Sequence, residues 1–208
     1  GLEVAERLHA VEVLDLDSGA LHSLTPAECD FGYRDSVFKR ALAGRVVITA
    51  VSFALPKRWQ PVVGYAELAA ELKARGVATP APRDVFDAVV AVRTRKLPDP
   101  ARIGNAGSFF KNPIVSFEQR QVIAAHHPAL VAYPLAGQRY KLAAGWLIEA
   151  AGLKGATRGG AGVYDRQALV LVNRGGATGA EILQLAREVQ DTVQARFGVK
   201  LEPEPVIV

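Results

Sequence analysis

The sequence predicts an α+β protein made of two subdomains. Half of its 208 residues are hydrophobic and 22% are charged, which is the composition of a folded chain rather than a disordered one. Strand-like and helix-like patterns are mixed along the whole length. The run Leu97-Pro98-Asp99-Pro100 cannot continue the helical pattern that precedes it. We therefore predict one subdomain over residues 1–98 and a second over residues 99–208.

The first subdomain opens with a predicted β-hairpin, because residues 11–15 and 20–24 flank the turn signal Asp17-Ser18-Gly19. Thr25-Pro26 has the pattern of a helix cap followed by a first-turn proline, and predicts a short helix. Apolar runs and periodic stripes indicate the remaining elements. These are a buried strand over 45–55, a helix over 65–75 ended by Gly76, and a helix carrying Val85, Phe86, Val89, Val90 and Val92.

Apolar periodicity also predicts the elements of the second subdomain. They are a helix over 117–126, an apolar helix over 141–151 ended by Gly152, a short strand over 168–172, a long helix over 179–197 ended by Gly198, and an extended tail over 199–208.

Bulk properties limit the partners. The net charge of +4 suits an anionic ligand, whereas the scattered Lys and Arg residues argue against nucleic acid.

Cys29 is the only cysteine, so no disulfide can form within the chain, and we expect a packed thiol in a reducing compartment. No signal peptide or membrane-spanning run is apparent, which predicts a soluble cytoplasmic protein. His126 and His127 are adjacent with no third ligand close in sequence, so we predict no metal site.

The stretch Gly104-Asn105-Ala106-Gly107-Ser108-Phe109-Phe110-Lys111-Asn112-Pro113 is the strongest candidate for a binding site. Its glycines allow close approach of a ligand, its polar side chains can converge on one, and its two phenylalanines can form walls. The alternative is a Gly-rich loop between core elements. A second Gly-rich run over 159–162 lacks a P-loop lysine and the Rossmann spacing, and indicates a tight loop.

This stretch closely resembles the signature of UDP-N-acetylenolpyruvoylglucosamine reductases, flavoenzymes of peptidoglycan precursor synthesis. Four further segments match that family in order and approximate spacing: 31–39, 93–100, 141–148 and 201–204. The resemblance implies NADPH-dependent reduction of the enolpyruvyl group of UDP-N-acetylenolpyruvoylglucosamine, with FAD as carrier, in cell-wall biogenesis. It also implies that 1–98 is the distal part of a flavin-binding α+β domain, and that 99–208 is a smaller α+β substrate-binding domain with a returning catalytic tail.

The resemblance assigns three catalytic roles. Ser108 would donate the proton to the reacting carbon, and Glu204 would polarise or protonate the enolic intermediate. Arg34 would clamp the substrate carboxylate in a bidentate manner. Each residue has an alternative role. The Ser108 hydroxyl could cap nearby backbone, and Glu204 could belong to a solvated acidic tail that is poorly fixed because the chain ends nearby. Arg34 could form an ordinary ion pair, for instance with Asp35 or another acid.

Binding residues follow from the same resemblance. Tyr65, Lys96 and Asn112 would hold the diphosphate and sugar. A mobile Tyr133 would cover the nucleotide, and Gln167 would contact its uridine. Lys141 would be a weaker substrate contact. Arg93 and Gly107 would lie on the flavin side. Tyr65 could instead simply start its helix, and Lys96 could be a solvated residue at a helix end.

The chain contains no methionine and begins at Gly1-Leu2-Glu3-Val4. We therefore expect a C-terminal portion that lacks the family's N-terminal flavin-binding region, which would then be its partner. The rival hypothesis is an isolated UDP-sugar-binding fragment without catalytic activity.

Overall fold

The computed structural model describes residues 3–207. It has mixed helices and strands and divides into two compact units, Gly1–Val92 (unit 1) and Arg93–Val208 (unit 2). The division between the two units lies within the last turns of a helix. It comes a few residues before the domain boundary that we predict after residue 98, and that boundary stays a prediction. Gly1, Leu2 and the last residue of the predicted tail, Val208, lie outside the described residues.

Unit 1 contains an antiparallel sheet of three strands: β1 (Leu8–Asp15), β2 (Leu21–Leu24) and β3 (Val46–Phe53), in the order β2-β1-β3. The predicted hairpin is confirmed as β1 and β2. Its turn is fixed by the Asp15 carboxylate, which accepts hydrogen bonds from the Ser18 amide at 2.8 Å and from the Ser18 hydroxyl at 2.7 Å.

The strand predicted over 45–55 is confirmed as β3, but the prediction that it is buried is wrong. Every residue of β3 after Val46 is exposed. The buried cluster of this sheet consists of Leu8, Val11 and Val13 with Cys29. Of β3, Val46 alone packs against that cluster, so the apolar composition of the rest of β3 does not translate into burial within the described residues.

The helices of unit 1 are α1 (Pro26–Cys29), α2 (Ala66–Ala74) and α3 (Pro82–Lys96), with 3₁₀ turns at Val4–Glu6 and Val37–Lys39. Thr25 caps α1 as predicted, through a reciprocal capping box with Glu28. Gly76 follows α2 with a φ of +71°, which suits the glycine that ends a helix.

Unit 2 holds two antiparallel sheets. One has the order β4-β10-β9-β8 and the other β5-β7-β6. The elements in chain order are β4 (Gly104–Ser108), β5 (Ile114–Ser116), α4 (Phe117–His126), β6 (Ala132–Leu135), β7 (Arg139–Leu142), α5 (Ala144–Ala150), β8 (Thr157–Arg158), β9 (Ala161–Val163), β10 (Val170–Asn173) and α6 (Gly179–Phe197).

The helices predicted over 117–126 and 179–197 are confirmed with their bounds, as α4 and α6. Ser116 caps α4, and Thr178 caps α6 through a capping box with Glu181. Gly198 ends α6 in the left-handed region, with a φ of +66°. The face of α6 that was predicted to be apolar packs into the main core through Leu185, Ala186, Val189, Val193 and Phe197.

The helix predicted over 141–151 is wrong at its start. Lys141 and Leu142 belong to β7, which pairs with both β5 and β6, and the helix begins only at Ala144. Pairing on both edges satisfies the backbone of this segment, so tertiary context overrides the helical pattern. The strand predicted over 168–172 is confirmed near its position as β10, which starts at Val170 because a turn bonds the Val170 amide to the Gln167 carbonyl.

Candidate active site

The signature stretch forms β4 and the extended chain that follows it. Within β4, the Asn105 side chain accepts a hydrogen bond from the Gly107 amide at 3.0 Å and donates one to the Ile103 carbonyl at 2.8 Å. This local turn holds Gly107 at a φ of +74°, with open space where a Cβ would be. Ser108 then ends β4 opposite Val170, with its side chain in an exposed position, and Phe109 and Phe110 are buried behind it.

The C-terminal tail returns to this point. The Glu204 amide donates to the Phe109 carbonyl at 2.8 Å, and the Lys111 amide donates to the Glu202 carbonyl at 2.9 Å. Phe110 and Pro203 form an antiparallel bridge between these two bonds. The tail therefore holds the backbone of the partly buried Glu204 against that of Phe109, the residue after the candidate proton donor Ser108.

Three contacts anchor the tail ahead of Glu204. The Leu201 side chain is fully buried in the main core. Its carbonyl accepts a hydrogen bond from the Gln190 side chain of α6 at 2.7 Å. The Lys111 ammonium donates to the Glu202 carboxylate at 3.1 Å. The expectation of a poorly fixed tail is therefore wrong as far as Glu204.

Asn112 has a structural contact that the sequence did not indicate. Its side-chain oxygen accepts a hydrogen bond from the Ala144 amide at 2.9 Å. Ala144 is the first residue of α5, where backbone N–H groups lack partners within the helix. Asn112 therefore caps α5 across a long sequence separation.

Three other predicted binding residues of unit 2 lie close to this helix start. Tyr133 on β6 and Lys141 on β7 are directly opposite each other and so share one face of their sheet. The Gln167 side-chain oxygen lies 3.1 Å from where a Cβ on Gly145 would be. Gln167 thus reaches the second residue of α5, one position after the amide that Asn112 caps.

Unit 1 contributes Arg34 and Tyr65. Arg34 has a φ of +57°, and its guanidinium carbon lies 5.4 Å from the centre of the Tyr33 ring. The Asp35 carboxylate, considered above as a partner of Arg34, forms an ion pair with Arg40. Tyr65 is exposed at the N-cap of α2, and its hydroxyl lies 3.4 Å from the Glu67 carboxylate.

Arg93 and Lys96 lie in the last turn of α3, one helical turn apart, with Arg93 exposed. Neighbours at this spacing lie on the same side of a helix. The position also suits cations for a simpler reason, because the C-terminal end of a helix carries partial negative charge. The positions of Arg93 and Lys96 are compatible both with binding a ligand and with stabilising the end of α3.

The remaining motifs are structural in the described chain. Cys29 is buried, and burial raises the pKa of its thiol, with the Glu28 carboxylate adding to the effect. The His127 ring packs on Trp146 and Phe197. Gly159 and Gly160 form the predicted tight loop as the turn between β8 and β9. Over residues 3–207, no helix has the length and apolarity that crossing a bilayer requires.

Sequence reasoning missed Asn105, the Lys111–Glu202 ion pair and Gln190. The Asn-x-Gly spacing of Asn105 and Gly107 is a local signal for a side-chain-capped turn and could have been read from the sequence. The other contacts join residues that are distant in the chain, and no local pattern announces them.

The chain is similar to known proteins of one family. The family model described as the C-terminal domain of UDP-N-acetylenolpyruvoylglucosamine reductase matches residues 99–208. The UDP-N-acetylenolpyruvoylglucosamine reductase of Ralstonia nicotianae is 58% identical over 100% of this chain and 61% of its own length. The enzyme of the same name from an Azoarcus species is 57% identical over 100% of this chain and 60% of its own length.

A solved structure, the UDP-N-acetylenolpyruvylglucosamine reductase of Thermus caldophilus, is also similar. It matches with a TM-score of 0.57 and 26% sequence identity over 96% of this chain and 52% of that protein. The chain spans about three fifths of the length of the curated relatives that it matches. The match of the family model over half of the chain shows that the chain belongs to the UDP-N-acetylenolpyruvoylglucosamine reductase family.

Proposed function

We propose that this chain is the substrate side of a flavin-dependent reductase. The complete enzyme would use NADPH to reduce the enolpyruvyl group of UDP-N-acetylenolpyruvoylglucosamine to UDP-N-acetylmuramate, in the cytoplasm, for peptidoglycan precursor synthesis. The observation that supports the proposal is the return of the tail, which bonds the Glu204 amide to the Phe109 carbonyl, one residue after Ser108.

The proposed chemistry uses both side chains. FAD, when bound and reduced by NADPH, would supply hydride to one carbon of the substrate double bond. Negative charge then develops on the other carbon and spreads into the adjacent carboxylate. The Ser108 hydroxyl donates a proton to that carbon, and Glu204 steadies the enolic group. Arg34 pairs with the substrate carboxylate; this role rests on the family resemblance.

The residues present fit a flavin on the Ser108 side. Gly107 leaves open space above its Cα, so a flat ring system could approach the backbone there. Arg93 is an exposed cation that could hold the diphosphate of FAD. On the substrate side, Asn112, Tyr133, Lys141 and Gln167 would hold the UDP-sugar, joined by Tyr65 and Lys96.

The test needs a complete enzyme. We define the completed enzyme as this chain joined to the part of the Ralstonia nicotianae relative that lies outside the match. In it, Ser108→Ala should slow flavin reoxidation by the enolpyruvyl substrate by about 10²–10⁴-fold, the usual range for losing a general acid. Flavin reduction by NADPH should keep its rate. Ser23→Ala, at an exposed serine on β2, is the matched control and should change neither half-reaction.

Equal slowing of both half-reactions by Ser108→Ala would contradict the assignment. It would show that the substitution disturbs flavin binding or folding rather than proton transfer. Stopped-flow absorbance of the flavin measures both half-reactions in the same preparation, so protein quality cannot account for a difference between them.

A second function is a UDP-sugar-binding fragment that catalyses nothing by itself. One observation favours it: of the six proposed UDP-sugar residues, all but Tyr65 belong to unit 2. Calorimetry of this chain with UDP in the absence of FAD tests it, and an absorption spectrum after incubation with FAD shows whether the chain also retains flavin. Binding of UDP without retained flavin would support the fragment hypothesis for this chain.

A further inference from the structure

One face of the sheet β5-β7-β6 continues past the proposed substrate residues. Tyr133 and Lys141 lie directly opposite each other on that face. Two positions before Lys141 on β7, Arg139 lies opposite Leu135 of β6. Alternate residues of a strand point to the same side. Arg139 therefore belongs to the same face as Lys141, one row nearer the turn that joins β6 to β7.

Arg139 has an exposed side chain with most of its hydrogen-bond donors unused within residues 3–207. Its hydrogen bond to the described chain is a long one, 3.5 Å from Nε to the Ala136 carbonyl. No carboxylate among the described residues forms an ion pair with it. A guanidinium in this position can bind a phosphate group, whose oxygens match its planar set of donors.

A cleft of about 280 Å³ lies beside Arg139 at the turn end of this sheet. It is lined by Phe117, Pro134, Leu135, Gln138 and Tyr140. Arg139 lies between the last two of these in the chain and opposite Leu135, so it stands at the rim. The rings of Phe117 and Tyr140 are 6.3 Å apart between centroids and inclined by 42°. Ligand pockets usually measure about 300–1,000 Å³, so this cleft suits one flat ring system rather than a whole dinucleotide.

Gln138 has an unusual backbone conformation at this cleft. Its φ is +54°, in the left-handed region that glycine usually occupies in a hairpin turn. Its carbonyl accepts a hydrogen bond from the Phe117 amide at 2.9 Å, which fixes the turn against the start of α4. Strained residues of this kind concentrate at functional sites. The side-chain amide of Gln138 combines a donor and an acceptor, as the edge of an adenine ring requires.

We infer that the cleft and Arg139 bind the 2′-phosphorylated adenosine of NADPH, with the adenine ring in the cleft and the phosphate on Arg139. NADPH differs from NADH by that phosphate, and an arginine beside the adenosine is the residue that accommodates it in many NADP-binding proteins. The inference rests on the proposed function and adds to it a residue that selects NADPH over NADH.

The position of the cleft favours the coenzyme over the UDP-sugar. Asn112 and Gln167, two proposed contacts of the UDP-sugar, lie at the start of α5, which follows the end of β7. At about 3.3 Å per strand residue, Arg139 lies roughly 10 Å from Leu142, the last residue of β7. A base in the cleft therefore belongs to a different nucleotide from one whose uridine contacts Gln167.

Nuclear magnetic resonance titration of this chain tests the inference without requiring turnover. 2′-AMP and 5′-AMP differ in the position of one phosphate, and we expect 2′-AMP to bind more tightly and to shift the signals of Gln138 and Tyr140. Arg139→Gln should lower the affinity for 2′-AMP and NADP⁺ by about tenfold, through loss of a charge-assisted hydrogen bond. The affinities for NAD⁺ and UDP should not change.

Two further variants act as controls. Arg139→Lys keeps the positive charge and should restore part of the affinity for NADP⁺. Arg187→Gln removes the same charge from an exposed arginine on α6 and should change no affinity.

Steady-state kinetics of the completed enzyme provide a second readout. Arg139→Gln should raise KM for NADPH by about tenfold. The kcat at saturating NADPH and the KM for NADH should keep the parent values. Gln138→Gly separates binding from folding, because glycine adopts the left-handed conformation without strain. Its thermal midpoint should match or exceed that of the parent enzyme, whereas its KM for NADPH should rise.

The outcomes separate this inference from the proposed function. If NADPH reduces the flavin of the completed enzyme but Arg139→Gln leaves NADP⁺ binding and KM unchanged, the inference alone is overturned. Equal losses of NADP⁺ and NAD⁺ affinity would also overturn it, and so would an equal loss of UDP affinity, which would assign the cleft to the UDP-sugar. A completed enzyme whose flavin NADPH cannot reduce would contradict the proposed function, and the inference would fail with it.

Discussion

Asn112 is expected to stabilise unit 2 even when no ligand is bound. Its side-chain oxygen accepts a hydrogen bond from the Ala144 amide at 2.9 Å, and Ala144 is fully buried. Replacing a helix-capping residue by alanine costs about 0.5–2 kcal/mol. A buried donor left without a partner costs about 1–3 kcal/mol, which overlaps with the first figure because both describe the same N–H group. We expect Asn112→Ala to lower the free energy of unfolding by about 1–2 kcal/mol.

The assay is urea unfolding of unit 2 followed by tryptophan fluorescence. The two tryptophans are Trp59 in unit 1 and Trp146 on α5 in unit 2, so a Trp59→Phe background leaves a probe of unit 2 alone. With a slope of about 1–3 kcal/mol per molar urea, the expected loss moves the midpoint by roughly 0.3–2 M.

Asn112→Asp separates the structural contribution from the binding one. A carboxylate keeps an acceptor for the Ala144 amide and lies favourably at the N-terminus of α5. We expect stability within about 0.5 kcal/mol of the parent chain. Binding of UDP should stay weak, because the carboxylate repels a diphosphate. An Asn112→Ala variant as stable as the parent, or an Asn112→Asp variant no more stable than Asn112→Ala, would refute the capping role.

Three further predictions concern stability and reactivity. A Cβ on Gly160 would meet the carbonyl oxygen of Gly175, so Gly160→Ala should destabilise unit 2 by about 1–3 kcal/mol in urea unfolding. Gly179→Ala, whose Cβ meets nothing, should not destabilise it. The hydrogen bonds from the cap residue of α6 hold the pKa of Glu181 below its ordinary value of 4.5. The stabilisation of the folded state by the ionised Glu181 carboxylate is therefore complete above pH 4.5 and disappears as the pH falls through the lowered pKa. Glu181→Gln should remove this part of the acid dependence of unfolding. Cys29 should react with a thiol reagent far more slowly in the folded chain than in urea, because burial raises the pKa of its thiol; equal rates would contradict its burial.

The long helices could be predicted from the sequence because their signals are local. α6 combines an apolar face, a capping box and a terminal glycine, and each of these lies within the helix or next to it. Short strands lack such signals. β8 has two residues and β7 has four, and both are defined by partners elsewhere in unit 2. The Lys141 segment was predicted as helix for that reason.

The exposure of β3 could not be predicted, because composition shows that a segment is apolar and not whether this chain supplies the residues that would cover it. The candidate site shows a related limit. Ser108 and Glu204 were proposed as partners from family resemblance, since they are far apart in the sequence. The approach of the Glu204 backbone to the residue after Ser108 depends on the bond between the tail and Phe109, which no periodicity reveals.

Amide exchange at Glu204 tests the central claim most directly. If the tail lies beside β4, the Glu204 amide is bonded to the Phe109 carbonyl and should exchange much more slowly than the same residue in an unfolded peptide. Nuclear magnetic resonance of this chain should also show a close contact between Phe110 and Pro203. A Glu204 amide that exchanges at the unfolded rate, without that contact, would contradict a site in which Glu204 and Ser108 act together.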